Sequence, residues 1–141
     1  MDIQTKCFEQ LPEEAAMIRR KVFIEEQGFV NEFDETDSKA LHIVLYADSS
    51  PAGVCRVFYS EEYKAYAVGR FAVLKEFRGE HLGARILKAA EAEILRRGEH
   101  SAVLSSQKQA MGFYEKQGYK PVGDFYSDEG CPHIRMIKEL K

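Results

Sequence analysis

The chain has 141 residues, 45% of them hydrophobic and 30% charged, with a formal net charge of −3. That length suits one domain, residues 1–141, and the composition excludes a disordered chain. The slightly acidic balance also disfavours a general binder of nucleic acid or of anionic membrane.

Residues 3–8 suit an edge strand. Residues 12–26 read as a helix. Pro12 fits the first helical position, Glu13 and Glu14 fit the positive end of the dipole, and Ala15, Ile18 and Val22 form a stripe. Gly28 is the stop signal. Residues 29–39 are acidic and irregular, with room for a short second helix. Three strands are predicted at 41–47, 52–59 and 66–74. Residues 48–53 form the turn between the first two, and 60–64 the turn before the third. The third is nearly continuous in apolar residues, as a strand buried on both faces would be. Residues 82–97 are the clearest helix, with Gly83, Leu87, Ala90 and Ile94 on one face and Gly98 at its end. A short strand at 102–105, a helix at 109–117 and strands at 122–126 and 133–140 complete the chain. The strand–helix–strand unit at 66–105 calls for a parallel crossover, and the preceding strands for an antiparallel meander. The fold class is therefore α/β (α+β), a mixed sheet with helices on its faces.

The first six residues lack a basic stretch followed by an apolar one, and the apolar run 43–47 is too short to cross a membrane. Cys7, Cys55 and Cys131 are odd in number and widely spaced, which reads as reduced thiols and a cytoplasmic location. Cys131 and His133 supply too few ligands for zinc, so no metal is expected.

The sharpest feature is Arg78-Gly79-Glu80-His81-Leu82-Gly83-Ala84-Arg85, which follows a buried strand and opens a helix. Unpaired amides and a positive dipole end suit phosphate oxygens, and the two arginines add charged donors. A plain strand-to-helix turn, with Gly83 there for packing, is the other reading. The segment is neither a Walker loop nor a dinucleotide fingerprint.

This segment resembles the acyl-CoA loop, Arg/Gln-x-x-Gly-x-Gly/Ala, of the GCN5-related N-acetyltransferases (GNAT), with His81 where the family usually has glycine. Gln107-Lys108-Gln109-Ala110, followed by Phe113-Tyr114-Glu115-Lys116-Gln117-Gly118-Tyr119, resembles the family's second motif, Gln107 replacing asparagine. The pair lies in the family's order and spacing. The run 19–27, Asp34-Glu35-Thr36-Asp37, His42 and Gly130-Cys131-Pro132-His133 resemble a small bacterial branch, the ElaA/YjcF-like proteins.

The resemblance implies a mostly antiparallel sheet of about six to seven strands, splayed at a central parallel pair and flanked by about four helices. It implies acetyl-CoA as co-substrate and direct acetyl transfer to a primary amine: a small amine, amino sugar, polyamine or protein amine. Pantetheine would pair with Phe71, Ala72 and Val73, pyrophosphate would sit on Arg78, Gly79, Glu80, His81, Leu82, Gly83, Ala84 and Arg85, and Gln107 would complete the CoA site. Tyr114 would protonate the leaving thiolate; the other reading is a helix aromatic packed in the core. Glu26, Asp34, Asp37, His42 and His133 are candidates for the acceptor side, with none singled out as base. Monomer and homodimer both remain open. The alternative is a CoA-binding regulatory module of the same fold with little or no turnover.

Overall fold

The computed structural model describes residues 1–30 and 32–141. Among them, seven strands form one sheet: β1 (Ile3–Phe8), β2 (Leu41–Ala47), β3 (Ser50–Ser60), β4 (Ala65–Val73), β5 (Ser101–Gln107), β6 (Lys120–Asp128) and β7 (Cys131–Glu139). Their order across the sheet is β1-β2-β3-β4-β5-β7-β6. Every neighbouring pair is antiparallel except β4 with β5.

Three α-helices are described: α1 (Glu13–Arg19), α2 (Leu82–Arg96) and α3 (Met111–Lys116). The helix expected over 12–26 starts one residue later, at Glu13, with Pro12 as its extended N-cap and not its first helical residue, and it changes type, continuing as a π-helical segment at Arg20–Glu26. The short helix anticipated within 29–39 is one 3-10 turn, Glu35–Ser38, closed by a capping box between Asp34 and Asp37. Residue 31 of that stretch lies outside the described residues.

Strand alternation sorts the core into two layers. On one face Ile43, Leu45, Cys55 and Leu104 pack under α2 and α3 with Ile86, Leu87, Ile94 and Tyr114. On the other, Val44, Val54, Ala72 and Leu74 pack under α1 and the π segment with Ile18, Val22 and Phe23. Gly53 permits the close crossing of α2, since a Cβ there would lie 2.4 Å from Ile86 Cδ1.

The turn expected over 48–53 is tighter than anticipated. Asp48 and Ser49 both have positive φ, 49° and 71°, and form a two-residue hairpin turn closed by the Ala47–Ser50 pair. Pro51 and Gly53 therefore lie inside β3. A register shift beside Pro51 takes up the missing amide.

Candidate active site

The parallel pair β4–β5 holds together at only three registers, Tyr66–Ala102, Ala67–Val103 and Val68–Leu104. Beyond them β4 runs on to Val73 and β5 to Gln107 with no pairing between the two, so two open strand edges face each other across a slot. A bulge in β4 causes the divergence. Arg70 and Phe71 together oppose Cys55, between the pairs Val54–Ala72 and Arg56–Gly69. Arg70 has φ 49°, a conformation that side chains other than glycine adopt at a cost.

A charge network holds Arg70 there. Its Nε donates to the Glu32 carbonyl at 2.9 Å and pairs with the Glu32 carboxylate at 3.0 Å, while Nη2 reaches Asp34 at 3.2 Å. Arg19, fully buried, binds Glu32 at 2.8 Å and Asp37 at 2.7 Å. Arg56 donates to Asp34 at 2.7 Å and Asp37 at 3.0 Å. Three arginines and three carboxylates thus tie residues 32–37 to α1, β3 and the bulge. None of Arg19, Glu32, Arg56 and Arg70 was singled out as a site residue from sequence, because their pairing is made only in three dimensions.

Two acceptor-side candidates belong to this network. Burial acts to raise the Asp37 carboxyl, yet the hydrogen bonds from Arg19, the Asp34 amide and Arg56 bring it down to about 2. Arg56 likewise lowers Asp34. His42 is buried beside them, with Nε2 2.8 Å from the Asp37 carbonyl, and burial lowers its pKa. These three side chains brace the slot.

After β4, a 3-10 turn (Lys75–Phe77) leads to Arg78, then Gly79 at φ 87° and His81 at φ 60°. His81 keeps the left-handed backbone that glycine would adopt freely. It is the N-cap of α2 but makes no side-chain cap bond, so the helix's leading amides have no partner from it. Gly83 faces aromatic rings: a Cβ there would lie 3.2 Å from both Phe71 Cζ and Phe113 Cζ. Arg78 grips Glu26 with both terminal guanidinium nitrogens, Nη1 and Nη2, at 2.6 and 2.7 Å, and donates through Nε to the Val73 carbonyl at 2.9 Å. That contact lowers the Glu26 pKa. It ties the end of the π segment to the loop, joining one expected CoA residue to one expected acceptor residue.

Tyr114 projects from α3, 8% exposed, with its ring edge-on to Phe71, Phe113 and Tyr119. Burial pushes its pKa well up, which keeps the phenol protonated. Arg56 Nε is the one buried side-chain polar atom left without a partner among the described residues. The Tyr114 hydroxyl makes no hydrogen bond to another described residue.

A cavity of about 800 Å3 opens beside the slot between the end of the π segment, the end of β5 and the β6–β7 turn. Gln109 donates to Gln107 at 2.6 Å and Gln107 to Gln27 at 2.8 Å, a chain of amides along its wall. Glu129 and Cys131 line it from the turn. Gln27, Gln109 and Glu129 were not anticipated as site residues; position beside the motif residue Gln107 was the available signal for Gln109. His133 stands opposite Gln107 in the β5–β7 ladder and opposite Tyr126 in the β6–β7 ladder. Among the described residues no group of three or more His, Cys, Asp or Glu is placed to hold a metal. Nor is any helix long and apolar enough to cross a membrane.

The family model of the acetyltransferase (GNAT) domain matches residues 8–140. The uncharacterised N-acetyltransferase YjcF of Bacillus subtilis is 34% identical over 134 residues, covering 93% of this chain and 94% of its own. The crystal structure of Escherichia coli ElaA superposes with a TM-score of 0.86 at 23% identity, over 98% of this chain and all of ElaA. An acyl-CoA N-acyltransferase from Pseudomonas aeruginosa superposes at 0.85 and 21% identity, over 97% of this chain and 99% of its own.

Proposed function

The chain belongs to the GNAT acetyltransferase family, in its ElaA/YjcF-like branch, and we propose that residues 1–141 act as one catalytic domain that transfers the acetyl group of acetyl-CoA to a primary amine. The observation that carries this reading is the slot between β4 and β5, with Tyr114 at its side. Pantetheine pairs with the open edge of β4 at Phe71, Ala72 and Val73, as an added strand does. An amide of that edge donates to the thioester oxygen as charge gathers on it. The loop from Arg78 to Arg85 takes the pyrophosphate on the leading amides of α2, and Gln107 supports the pantetheine from β5.

The amine attacks the thioester carbon directly within a ternary complex. No cysteine serves as nucleophile. Cys55 is buried, and burial raises its thiol pKa far above neutral. The Cys131 thiol is turned to the Pro132 carbonyl, at 3.9 Å, and the nearby His133 ring bonds the Cys131 carbonyl through Nδ1 and not the sulfur. As the tetrahedral intermediate collapses, the Tyr114 hydroxyl protonates the departing sulfur. The acceptor occupies the cavity beside Gln27, Gln107 and Glu129, whose polar walls suit a small amine, an amino sugar, a polyamine or the amine of a protein.

The test is release of CoA thiol from acetyl-CoA over a panel of glucosamine, spermidine, tyramine and a peptide with a free N-terminus. Turnover with at least one is expected. CoA binding with no turnover on any of them would instead support a regulatory CoA-binding module.

A further inference from the structure

We propose that His133 is the group that takes the proton from the attacking amine, an assignment that rests on the acetyl-transfer reading above. Its position decides this. Along β7, Ile134 and Met136 face the core under α2 and α3, so His133 faces the other side of the sheet. Gln107, its ladder partner, faces the same way and meets Gln27 at the cavity wall. Tyr114 packs within the α2–α3 layer. The phenol and the imidazole therefore stand on opposite faces of the sheet, with His133 on β7 beside the unpaired end of β5. Two separate groups suit the reaction, because the acid serves the sulfur and the base serves the nitrogen, two different substituents of the tetrahedral carbon.

The hydrogen bonding of His133 fits the role. Nδ1 lies 2.8 Å from the Cys131 carbonyl. A carbonyl cannot donate, so Nδ1 carries the hydrogen and Nε2 of the neutral ring holds a lone pair. The same bond steadies the ring when Nε2 gains a proton. Nε2 has no hydrogen-bond partner among the described residues. The residue as a whole is 7% exposed, so the approach to Nε2 is narrow. Tyr126 stacks on the imidazole, 6.1 Å between ring centres and 25° from parallel, and its hydroxyl is hydrogen-bonded to Ser105 of β5. The ring is thus fixed on one edge and along one face, and unpaired at Nε2.

The competing groups are tied up. Asp34 and Asp37 bind arginines, His42 is buried against the Asp37 carbonyl, and Glu26 is clamped by Arg78. Glu129 lies in the neighbouring turn, where it accepts the Val30 amide at 3.4 Å, and is the rival to be tested.

The proton balance closes. The neutral amine forms the C–N bond, the carbonyl electron pair moves to oxygen, and Nε2 accepts the N–H proton. On collapse the C–S bond breaks and sulfur takes the Tyr114 proton. The imidazolium then returns its proton to the phenolate through water in the slot. An amine that arrives as ammonium releases one further proton to solvent.

His133→Asn is the informative variant. Its amide still donates to the Cys131 carbonyl, as Nδ1 does, but the edge bearing Nε2 is gone. Turnover is measured for wild type, His133→Asn, His133→Ala and Glu129→Gln, with acetyl-CoA and the best acceptor among glucosamine, spermidine and tyramine. The CoA-dependent rise in melting temperature confirms the fold of each. Both His133 variants should lose about 10²-fold or more in kcat with little change in KM for acetyl-CoA. Added imidazole should restore part of the turnover of His133→Ala and none of that of Tyr114→Phe. Wild-type kcat in His133→Asn, absence of imidazole rescue, or a loss confined to Glu129→Gln would each overturn the assignment while leaving acetyl transfer intact. No turnover by the wild type would overturn the reading beneath it, and the assignment with it.

Discussion

The Tyr114 hydroxyl makes no hydrogen bond to a described residue, so removing it should disturb the fold little. Its ring carries the packing against Phe71 and Phe113. Tyr114→Phe should therefore keep its melting temperature and its CoA affinity. Turnover should fall by about tenfold to 10²-fold, the low end for a general acid, because a thiolate is a tolerable leaving group. Wild-type turnover under conditions where chemistry limits the rate would return Tyr114 to a purely packing role. His81 offers a second test, one of backbone conformation. At φ 60° a side chain costs about 1–2 kcal/mol that glycine avoids, and a β-branched residue suffers more. His81→Gly should match or exceed the wild type in melting temperature, and His81→Val should fall clearly below it. Equal melting for the two would mean that the loop relaxes out of the left-handed region.

The segment containing residues 32–37 shows how a loop can be bound as firmly as a strand. Its carboxylates meet Arg19 from α1, Arg56 from β3 and Arg70 from the bulge. Asp37 makes this bracing sensitive to acid. Its carboxyl stays ionised in the fold down to about 2, whereas an unfolded aspartate takes up its proton near 3.9. The resulting stability, about 2 kcal/mol, is fully present above roughly pH 5 and is lost as pH falls through the unfolded value towards 2. Urea unfolding at pH 5 and at pH 2.5 should show a smaller drop for Asp37→Asn than for the wild type, although the variant starts less stable because buried arginines lose a partner. An unchanged drop would show that Asp37 does not carry the acid sensitivity. Local pattern made most elements legible: β1 and β2 lie at the residues the sequence marks, and α2 differs by one residue at its end. The change to π-helix at Arg20 and the bulge at Arg70 carry no local signal. Both belong to segments fixed by distant partners, Arg78 gripping Glu26 and the carboxylates gripping Arg70. For the same reason the two motifs mark Gln107 and Tyr114 from sequence, whereas the charge network that braces the slot emerges only in the fold.

At the scale of the whole molecule, the loop before α2 and the end of the π segment are joined by Arg78 and Glu26. The guanidinium that should meet pyrophosphate already holds a carboxylate, with both side chains about 40% and 38% exposed. A phosphate oxygen and the Glu26 carboxylate are alternative partners for the same donors, so on the proposed reading CoA would displace Glu26 or share Arg78 with it. An exposed pair of this kind is worth at most about 1 kcal/mol. Freeing Arg78 by Glu26→Gln should therefore tighten CoA by no more than about fivefold, and the gain should shrink as salt is raised. Displacement would also release the end of the π segment, which walls the cavity, so Glu26→Gln should change the apparent affinity for the amine as well as for CoA. Calorimetric titration of CoA into both proteins at low and high salt measures the first effect, and acceptor saturation at fixed acetyl-CoA the second. For wild type, CoA at about 100 times its dissociation constant should add about 2.7 kcal/mol of stability, and that gain should persist in the variant. Weaker CoA binding by Glu26→Gln would reverse the relation: Glu26 would then hold Arg78 in place for the pyrophosphate, and the pair would be part of the CoA site from the outset.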